Sequence, residues 1–212
     1  MAELMVETDN NKLTDAETKE PTDGRHKRSD RSRRKIIDAL FSLLKDGNVS
    51  PSAADVAARA GVGLRTVFRH FEEMDSIYNE MTADMLRQVM PKAAAPYLTS
   101  HWRDQLFECI ERRAEIYEFV FPVRVCMMLR RYQSDFLMDQ YNRDLAMERD
   151  ELMALLPGQI TGNKIAFSAV ETALSFQTWR RLREDTGLSV PDSKAVVSNM
   201  ALSLVADVNV SD

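Results

Sequence analysis

AARAGVGLRTVFRHF, residues 57–71, joins two short helical patterns through a turn that contains two glycines. Gly61 lies where the first helix must end, so we expect a positive φ there, a conformation that glycine adopts without steric cost. Val67 and Phe71 follow at the i, i+4 spacing that places two apolar side chains on one helix face. Two helices joined by a tight turn form a helix-turn-helix unit, whose second helix lies in the major groove of DNA.

The preceding residues complete a small helical unit. Apolar residues repeat at helical spacing from Ile36 to Leu44 (Ile36, Ile37, Leu40, Phe41 and Leu44), and Asp46-Gly47-Asn48 marks the end of this helix. Ser52 is placed as the N-cap of the next helix, with Asp55 three residues later in a variant of the capping box. The sequence therefore predicts three helices, at about 31–45, 52–60 and 64–71.

Positive charge is concentrated in this part of the chain. Residues 25–70 contain eleven Lys and Arg against four Asp, a net charge of +7, whereas residues 1–24 carry -5 and residues 71–212 carry -7. A basic segment within an acidic protein is typical of a small nucleic-acid-binding module joined to a domain with another role.

Composition and length limit the other classes of protein. The chain has 212 residues, 44% of them hydrophobic, which is sufficient for a buried core. No apolar run approaches the roughly 18 residues of a membrane-spanning helix, and the start, MAELMVETDN, lacks the features of a secretory signal, so we expect a cytoplasmic protein. Cys109 and Cys126 are too few for a disulfide framework and have no partner at metal-ligand spacing, so no metal or other cofactor is predicted.

The rest of the chain also has helical patterns. They lie at about 75–90, 102–120, 123–131, 134–156, 163–185 and 192–207, with breaks such as Phe121-Pro122 and Leu156-Pro157-Gly158. We therefore predict an all-α protein with a helix-turn-helix domain at 29–74 and a C-terminal helical domain at 75–212. Residues 1–28 are predicted to form a disordered tail, because they have too few apolar side chains to offset the entropy of ordering.

SAADVAARAGVGLRTVFRHF, residues 52–71, resembles the DNA-binding head of the tetracycline-repressor (TetR) family of transcriptional regulators. The resemblance covers about residues 31–90, and FQTWRRLREDTGLS, residues 176–189, is more loosely similar to the late part of that family's regulatory domain. Members are typically homodimeric bacterial repressors that a small molecule releases from DNA. The resemblance therefore implies three partners: an operator in double-stranded DNA, a small-molecule effector and a second copy of the chain.

The resemblance also assigns DNA contacts. Ser52 matches an N-cap that touches phosphate, and Thr66 and His70 match further contacts to the DNA backbone. Phe68 stands where the family usually has Tyr, so packing on a thymine methyl is kept and a phosphate hydrogen bond is lost. Met74 replaces a frequent phosphate-binding Lys, so other cations, Arg31 among them, must neutralise phosphates. The candidate DNA-binding residues are Arg33, Arg34, Ser52, Gly63, Leu64, Arg65, Thr66, Phe68, Arg69 and His70.

Arg65 has two possible roles. Together with Leu64 it lies near the N-terminal end of the second helix, which points at base edges. An arginine there either binds guanine O6 and N7 through two hydrogen bonds or contacts a phosphate, and the sequence leaves both open.

Methionine and aromatic side chains in the later helices are candidates for an adaptable apolar pocket. Such residues at helical spacing are usually ordinary core, and a ligand pocket among them is what the resemblance implies. Arg124, Arg130, Arg131 and His101 are either partners of an anionic ligand or solvated surface charges. The candidate pocket residues are Met85, Phe107, Tyr117, Phe121, Met128, Phe136, Tyr141 and Phe167.

The last two predicted helices are apolar over more than one face, through Ile165, Val170, Ala173, Leu174 and Phe176, then Val196, Val197, Met200, Leu202, Leu204 and Val205. Two such helices from each subunit are expected to form a four-helix dimer interface. A dimer would place two recognition helices about 34 Å apart, so the operator is expected to be an inverted repeat.

Two other classes of protein are considered. An enzyme is not predicted, because His26, His70 and His101 have no nucleophile or metal-ligand spacing near them and the chain has no phosphate-binding glycine loop. The alternative is an all-α interaction protein whose helix-turn-helix head no longer binds DNA, which the departure at Met74 favours.

Overall fold

The computed structural model describes residues 22–206, with side chains from Lys27 onward, and this part of the chain is helical without a strand. The helices are α1 (Thr22–Lys45), α2 (Ala53–Ala60), α3 (Leu64–His70), α4 (Met74–Ala93), α5 (Trp102–Arg130), α6 (Asp135–Leu155), α7 (Gly158–Thr161), α8 (Lys164–Ala173), α9 (Phe176–Arg180) and α10 (Val190–Leu204). A 3₁₀ turn, Arg131–Gln133, joins α5 to α6, and a π-helical turn, Arg181–Asp185, continues α9. The predicted all-α fold class is confirmed.

Helices α1, α2 and α3 form a small head at the N-terminal side of the described chain. They pack on one another around the apolar face of α1, where Ile36 and Leu40 are completely buried. Val56 of α2 and Val67 of α3 close the same core, which also contains Phe71. Burial of this face is what holds the short helices α2 and α3, since helices of this length are marginal alone.

The core of the head continues into the rest of the protein. Tyr78 of α4, Val123 and Cys126 of α5 and Leu137 of α6 belong to the same buried cluster as the head residues. The Sγ atom of Cys126 lies 3.5 Å from the hydroxyl of Tyr78, within hydrogen-bonding distance. The head is therefore packed directly on α4, α5 and the start of α6.

A second core lies among α5 to α10. Tyr117 of α5 packs edge-on against Phe176 of α9, with ring centroids 5.4 Å apart, and Leu152, Phe167 and Val170 are buried around them. Every helix of residues 22–206 is too short or too polar to cross a lipid bilayer.

Helix α1 begins earlier than the sequence predicts. The predicted disordered tail at residues 1–28 is wrong for residues 22–28, which form the first turns of α1, and residues 1–21 lie outside the described part of the chain. Extending an existing helix adds one hydrogen bond for each residue that is ordered and avoids the cost of a new nucleus. A polar segment joined to a packed helix can therefore be helical without burying any apolar side chain.

The predicted break at Phe121-Pro122 is wrong, because α5 continues through Pro122 to Arg130. Proline inside a helix removes a hydrogen bond and costs about 3 kcal/mol. Val120 and Val123, on either side of it, are 5% and 0% exposed. Packing of both halves of α5 into the two cores outweighs the local cost.

The predicted helix at 163–185 is divided at Leu174. The carbonyl oxygen of Leu174 accepts hydrogen bonds from Arg113 Nη1 at 3.2 Å and from the hydroxyl of Tyr117 at 3.0 Å. Ser175 then caps α9 by accepting a hydrogen bond from the backbone N–H of Thr178. Side chains of α5 thus satisfy a carbonyl that a continuous helix would have used, and this allows the break.

The turn between α2 and α3 has the predicted conformation. Gly61 has a φ of 65°, and its N–H donates to the carbonyl of Ala58. The N–H of Val62 donates to the carbonyl of Ala57 at 3.0 Å, which completes the Schellman pattern at the end of α2. The angle between α2 and α3 therefore depends on one residue in the left-handed region.

Gly61→Ala should lower the free energy of unfolding by about 1 kcal/mol, because the added Cβ is strained at positive φ. Space is not the cause, since no atom lies within 4 Å of the Cβ position. Chemical denaturation followed by circular dichroism measures the change.

Gly63→Ala is the matched control. Gly63 has a φ of -71° and equally open surroundings, so alanine should be tolerated there within a few tenths of a kcal/mol. Equal destabilisation by the two substitutions would contradict the role assigned to the Gly61 conformation.

Candidate nucleic-acid interface and adjoining cavity

Helix α3 presents a mixed cationic and apolar face to solvent. Val67 is 1% exposed and faces the head core, whereas Leu64 and Phe68 are 44% and 50% exposed. Arg65 and Arg69 are exposed on the same side of α3. Two guanidinium groups and two apolar side chains are thus available to a partner along one short helix, and nothing in residues 22–206 covers them.

The cations of the head that were predicted to contact DNA differ in their pairing. Arg65, Arg69 and Arg31 are exposed and form no ion pair within residues 22–206. Two other predicted phosphate contacts, Arg33 and Arg34, are held by carboxylates of α4, as follows.

Arg33 joins three elements of the protein. Its Nε donates to the carboxylate of Glu80 on α4 at 2.7 and 2.9 Å, and its Nη1 donates to the carbonyl of His70 at 2.9 Å. The guanidinium also lies over the ring of Phe71, 4.5 Å from the centroid. Its pKa is raised, chiefly by the hydrogen bond to Glu80. Arg33 therefore fastens α1 to α4 and to the end of α3, and each of its three nitrogen atoms donates to a group of the chain.

Arg34 is paired in a similar way, one residue further along α1. It forms ion pairs with Asp84 of α4 and, at 3.2 Å, with Asp38 of its own helix. Asp84 is also paired with Arg87. Arg33 and Arg34, both predicted DNA contacts, thus pair with carboxylates of α4, and their side chains remain 40% and 57% exposed.

Ser52 has the predicted capping geometry. Its Oγ accepts a hydrogen bond from the N–H of Asp55 at 3.2 Å, and the carboxylate of Asp55 accepts from the N–H of Ser52 at 2.9 Å. The hydrogen bonds that this carboxylate accepts from the N–H and the hydroxyl of Ser52 lower the pKa of Asp55. The N-terminus of α2, with Ser52 exposed, lies open to solvent beside the head.

The remaining predicted contacts differ in accessibility. Gly63 is exposed as the N-cap of α3, and Thr66 is half-buried. The Nε2 atom of His70 is buried without a hydrogen-bond partner among the described residues, and burial together with nearby Arg69 lowers the pKa of this imidazole. Met74, where a lysine was expected from the resemblance, packs against the head core.

A cavity of about 370 Å³ lies between α4, α5 and α6. Of the predicted pocket residues, Met85 and Tyr117 line it. The apolar part of its wall comes from Met85, Leu86, Val89, Met90, Ile116, Val120, Met127 and Met147. The cavity is thus formed largely by aliphatic and thioether side chains, and of these only Met85 was among the predicted methionine and aromatic residues.

The other predicted pocket residues lie elsewhere. Phe107 is 36% exposed, and the ring centroid of Phe121 lies 5.5 Å from that of Phe176. Met128 packs on the C-terminal core and Phe136 on the head core. Tyr141 accepts a hydrogen bond from Gln177, and Phe167 is buried beneath the guanidinium of Arg149. None of these six residues lines the cavity. Residue type alone does not identify the face, because helix rotation is set by packing.

Arg113, which the sequence analysis did not select, is buried beside the cavity. Its Nε and Nη2 donate to the carboxylate of Glu151 at 3.0 and 2.9 Å, and Nη2 also donates to the carbonyl of Glu148 at 2.6 Å. Together with the bond to Leu174 described above, these contacts use all three of its nitrogen atoms. Arg113 shares a face of α5 with Ile110 and Tyr117, which was the available signal, but its partners lie 35 or more residues away.

Arg124 is buried as well, and is 7% exposed. It is ion-paired with Glu148 and lies over the Phe176 ring, 4.6 Å from the centroid. Arg124 is therefore not a solvated charge: it has an internal ion pair and lines the cavity.

Groups suited to metal binding or thiol chemistry are not assembled in residues 22–206. No cluster of three or more His, Cys, Asp and Glu side chains in this range is close enough to hold a metal ion. Cys109 and Cys126 are buried free thiols, and burial raises the pKa of Cys109 to about 11.

Comparison with known proteins shows the fold. No protein-family model matches the sequence, and no curated protein matches it. A transcriptional regulator from Rhodococcus sp. Rha1 has a similar solved structure, with a TM-score of 0.65 and 14% identity over 87% of this chain and 99% of that one. A TetR-family transcriptional regulator from Mesorhizobium loti MAFF303099 is similar with a TM-score of 0.54 and 15% identity over 84% and 97%. The predicted resemblance to TetR regulators is confirmed at the level of the fold.

Glu148→Gln should lower the free energy of unfolding by about 3 kcal/mol, because it removes the charge that neutralises a buried guanidinium. The side chains of Arg124 and Glu148 are only 8% and 17% exposed. Equilibrium unfolding in urea gives the difference from the unmodified chain.

Glu171→Gln provides the comparison. Glu171 pairs with Arg149, whose side chain is 50% exposed, so this substitution should cost less than about 1 kcal/mol. A loss at Glu148 no greater than that at Glu171 would show that Arg124 does not depend on its carboxylate.

Proposed function

We propose that the protein is a cytoplasmic transcriptional regulator of the TetR type, which binds an inverted-repeat operator as a homodimer and is released by a small molecule. The observation that carries this proposal is the solvent face of α3, where Arg65 and Arg69 accompany exposed Leu64 and Phe68. The similar solved structures are those of transcriptional regulators, which supports the same function.

The composition of α3 suits a DNA major groove. Arginine binds guanine edges or phosphates, and apolar side chains contact the methyl group of thymine. Phe68, half exposed without a protein partner to cover it, is otherwise a costly residue for a surface helix. Contact with DNA would remove it from water while leaving the guanidinium groups near the phosphates.

The exposed apolar residues of α8 and α10 support a dimer. These two helices pack on each other, and Val170, Ala173, Val197 and Ala201 are buried within the chain. Ile165 on α8 remains 83% exposed, and the outward residues Met200, Leu202 and Leu204 on α10 are 38 to 40% exposed. The same patch on a second copy would cover these groups through a twofold axis.

Helix α4 connects the cavity to the head, which supports release of DNA by a ligand in the cavity. Glu80 and Asp84 hold Arg33 and Arg34 of α1, and Met85, one residue after Asp84, lines the cavity. A ligand that favours one position of α4 would thereby favour one position of the head. The shift in DNA affinity is limited by the ligand's preference between the two positions.

An interaction protein without DNA binding is the second candidate. It is favoured by the engagement of Arg33 and Arg34 within the chain and by exposed Glu72 and Glu73 next to α3. DNA binding separates the two candidates, because neutralisation of phosphates gives an affinity that falls steeply and linearly in a plot of log K against log salt.

The purified protein should select a duplex from randomised DNA and retard it in gel electrophoresis. Its affinity for that duplex should fall steeply as the salt concentration rises. Arg65→Ala should then reduce discrimination at one base pair in each half-site by about 1–3 kcal/mol if the guanidinium binds guanine. Competition between operator variants that differ at single base pairs measures this loss. A uniform loss over all variants would instead assign Arg65 to phosphate.

Arg181→Ala is the control for net charge. Arg181 is exposed after α9, outside the head, so its removal should leave both affinity and base preference unchanged. Absence of any retardation at low salt would remove the DNA-binding proposal and favour the interaction protein.

Met200→Glu combined with Leu204→Glu should weaken the dimer by about 100-fold or more, because the two positions share one face of α10 and carboxylates there would lose water on association. Sedimentation velocity at micromolar concentration is the measurement, and the unmodified chain is expected to be dimeric.

Leu98→Glu tests whether any exposed leucine has the same effect. Leu98 is 93% exposed between α4 and α5, away from α8 and α10 in sequence, so the dimer should persist. A monomeric wild-type protein, or dissociation by the Leu98 substitution alone, would contradict the proposed interface.

A further inference from the structure

The cavity between α4, α5 and α6 is lined by more acidic than basic residues. Four carboxylate residues line it, Asp144, Glu148, Asp150 and Glu151, against two arginines, Arg113 and Arg124. The lining therefore carries two more negative than positive charges. Its volume of about 370 Å³ is within the range of pockets that hold small organic ligands.

Both arginines are already paired with carboxylates of the chain. All three nitrogen atoms of Arg113 donate to Glu151, Glu148 and Leu174. Arg124 is ion-paired with Glu148, and its Nη2 atom, which has no partner in the described chain, is closed to solvent. A ligand in the cavity would therefore meet guanidinium groups whose charge is already neutralised by carboxylates of α6.

Asp144 is the carboxylate that internal pairing leaves incomplete. Its Oδ1 accepts a hydrogen bond from Gln140 at 2.9 Å, whereas its Oδ2 is 3.9 Å from Arg124 Nε, which is too long for a hydrogen bond. The side chain is 20% exposed. Burial raises the pKa of this carboxyl group, which means that the charged form lacks full solvation or pairing.

Much of the remaining lining is apolar and adaptable. Met85 and Met90 of α4, Met127 of α5 and Met147 of α6 all line the cavity. Thioether side chains are flexible and polarisable, and they pack well against aromatic groups of different shapes. The cavity thus combines a deformable apolar wall with one incompletely neutralised carboxylate.

We propose that the cavity binds an amphipathic organic cation, whose apolar body packs against the four methionines and whose charged centre lies beside Asp144. This inference rests on the proposed function, because it assigns a chemical class to the small molecule that releases DNA. Occupation by a cation would supply the positive charge that the lining lacks.

Two probes of the same shape and opposite charge test the proposal. Tetraphenylphosphonium and tetraphenylborate each present four phenyl groups around a charged centre, and isothermal titration calorimetry with the full chain measures their affinities. The cation should bind at least about tenfold more tightly than the anion. Equal or tighter binding of the anion, or no saturable binding of the cation, would overturn the proposal.

Asp144→Asn should reduce the affinity for tetraphenylphosphonium by about tenfold, whereas Asp139→Asn should leave it unchanged. Asp139 is an exposed residue of the same helix that does not line the cavity, so its substitution removes the same charge elsewhere. Unchanged affinity in Asp144→Asn would overturn the assignment to this carboxylate. The comparison of the two probes uses the wild-type chain, so it stands whether or not the variant folds.

DNA retardation in the same preparation separates this inference from the proposed function. Cation binding through Asp144 without any DNA binding would support the ligand class and contradict the DNA-binding regulator. DNA binding with no preference for the cation would overturn the ligand class and leave the regulator in place.

Discussion

Burial of two guanidinium groups on α5 is the constraint on which the C-terminal part of the structure depends. An unpaired charge in the interior costs several kcal/mol, so Arg113 and Arg124 must meet carboxylates wherever α5 is buried. Glu148 and Glu151 supply them from α6, which sets the rotation of α6 against α5. Arg113 also holds the carbonyl of Leu174, at the point where the chain turns from α8 into α9. One set of polar contacts therefore determines the wall of the cavity and the position of the helices behind it.

Helix α4 belongs to both functional regions. Tyr78 is buried in the core that the head shares with α5, and Glu80 and Asp84 hold the arginines of α1. The following residues, from Met85 onward, line the cavity. Packed interiors resist continuous deformation, so a displacement of α4 at the cavity would also move its contacts with the head. The surface proposed for DNA and the cavity proposed for a cation are therefore connected through a single rigid element.

The sequence predicted the face of α3 more accurately than the surroundings of that helix. Leu64 and Phe68 are exposed as the helical period requires, because their side-chain directions follow from local geometry. Arg33 was assigned to phosphate on charge alone, and its partner Glu80 lies 47 residues away. The same limit applies to the cavity, where Tyr117 lies in the wall and Phe167 does not. Both are buried residues of apolar helix faces, and the sequence does not show how those faces are rotated.

What the sequence by itself determined is local. The positive φ of Gly61, the capping box at Ser52 and the helical period of α3 depend on hydrogen bonds and steric contacts among residues a few positions apart. Tertiary structure alone decided that α5 continues through Pro122 and that the chain breaks at Leu174. In those cases a local preference of a few kcal/mol is overruled by burial and by hydrogen bonds from distant side chains. Such partners are brought together only when the helices pack, and their identity depends on helix rotations that periodicity leaves open.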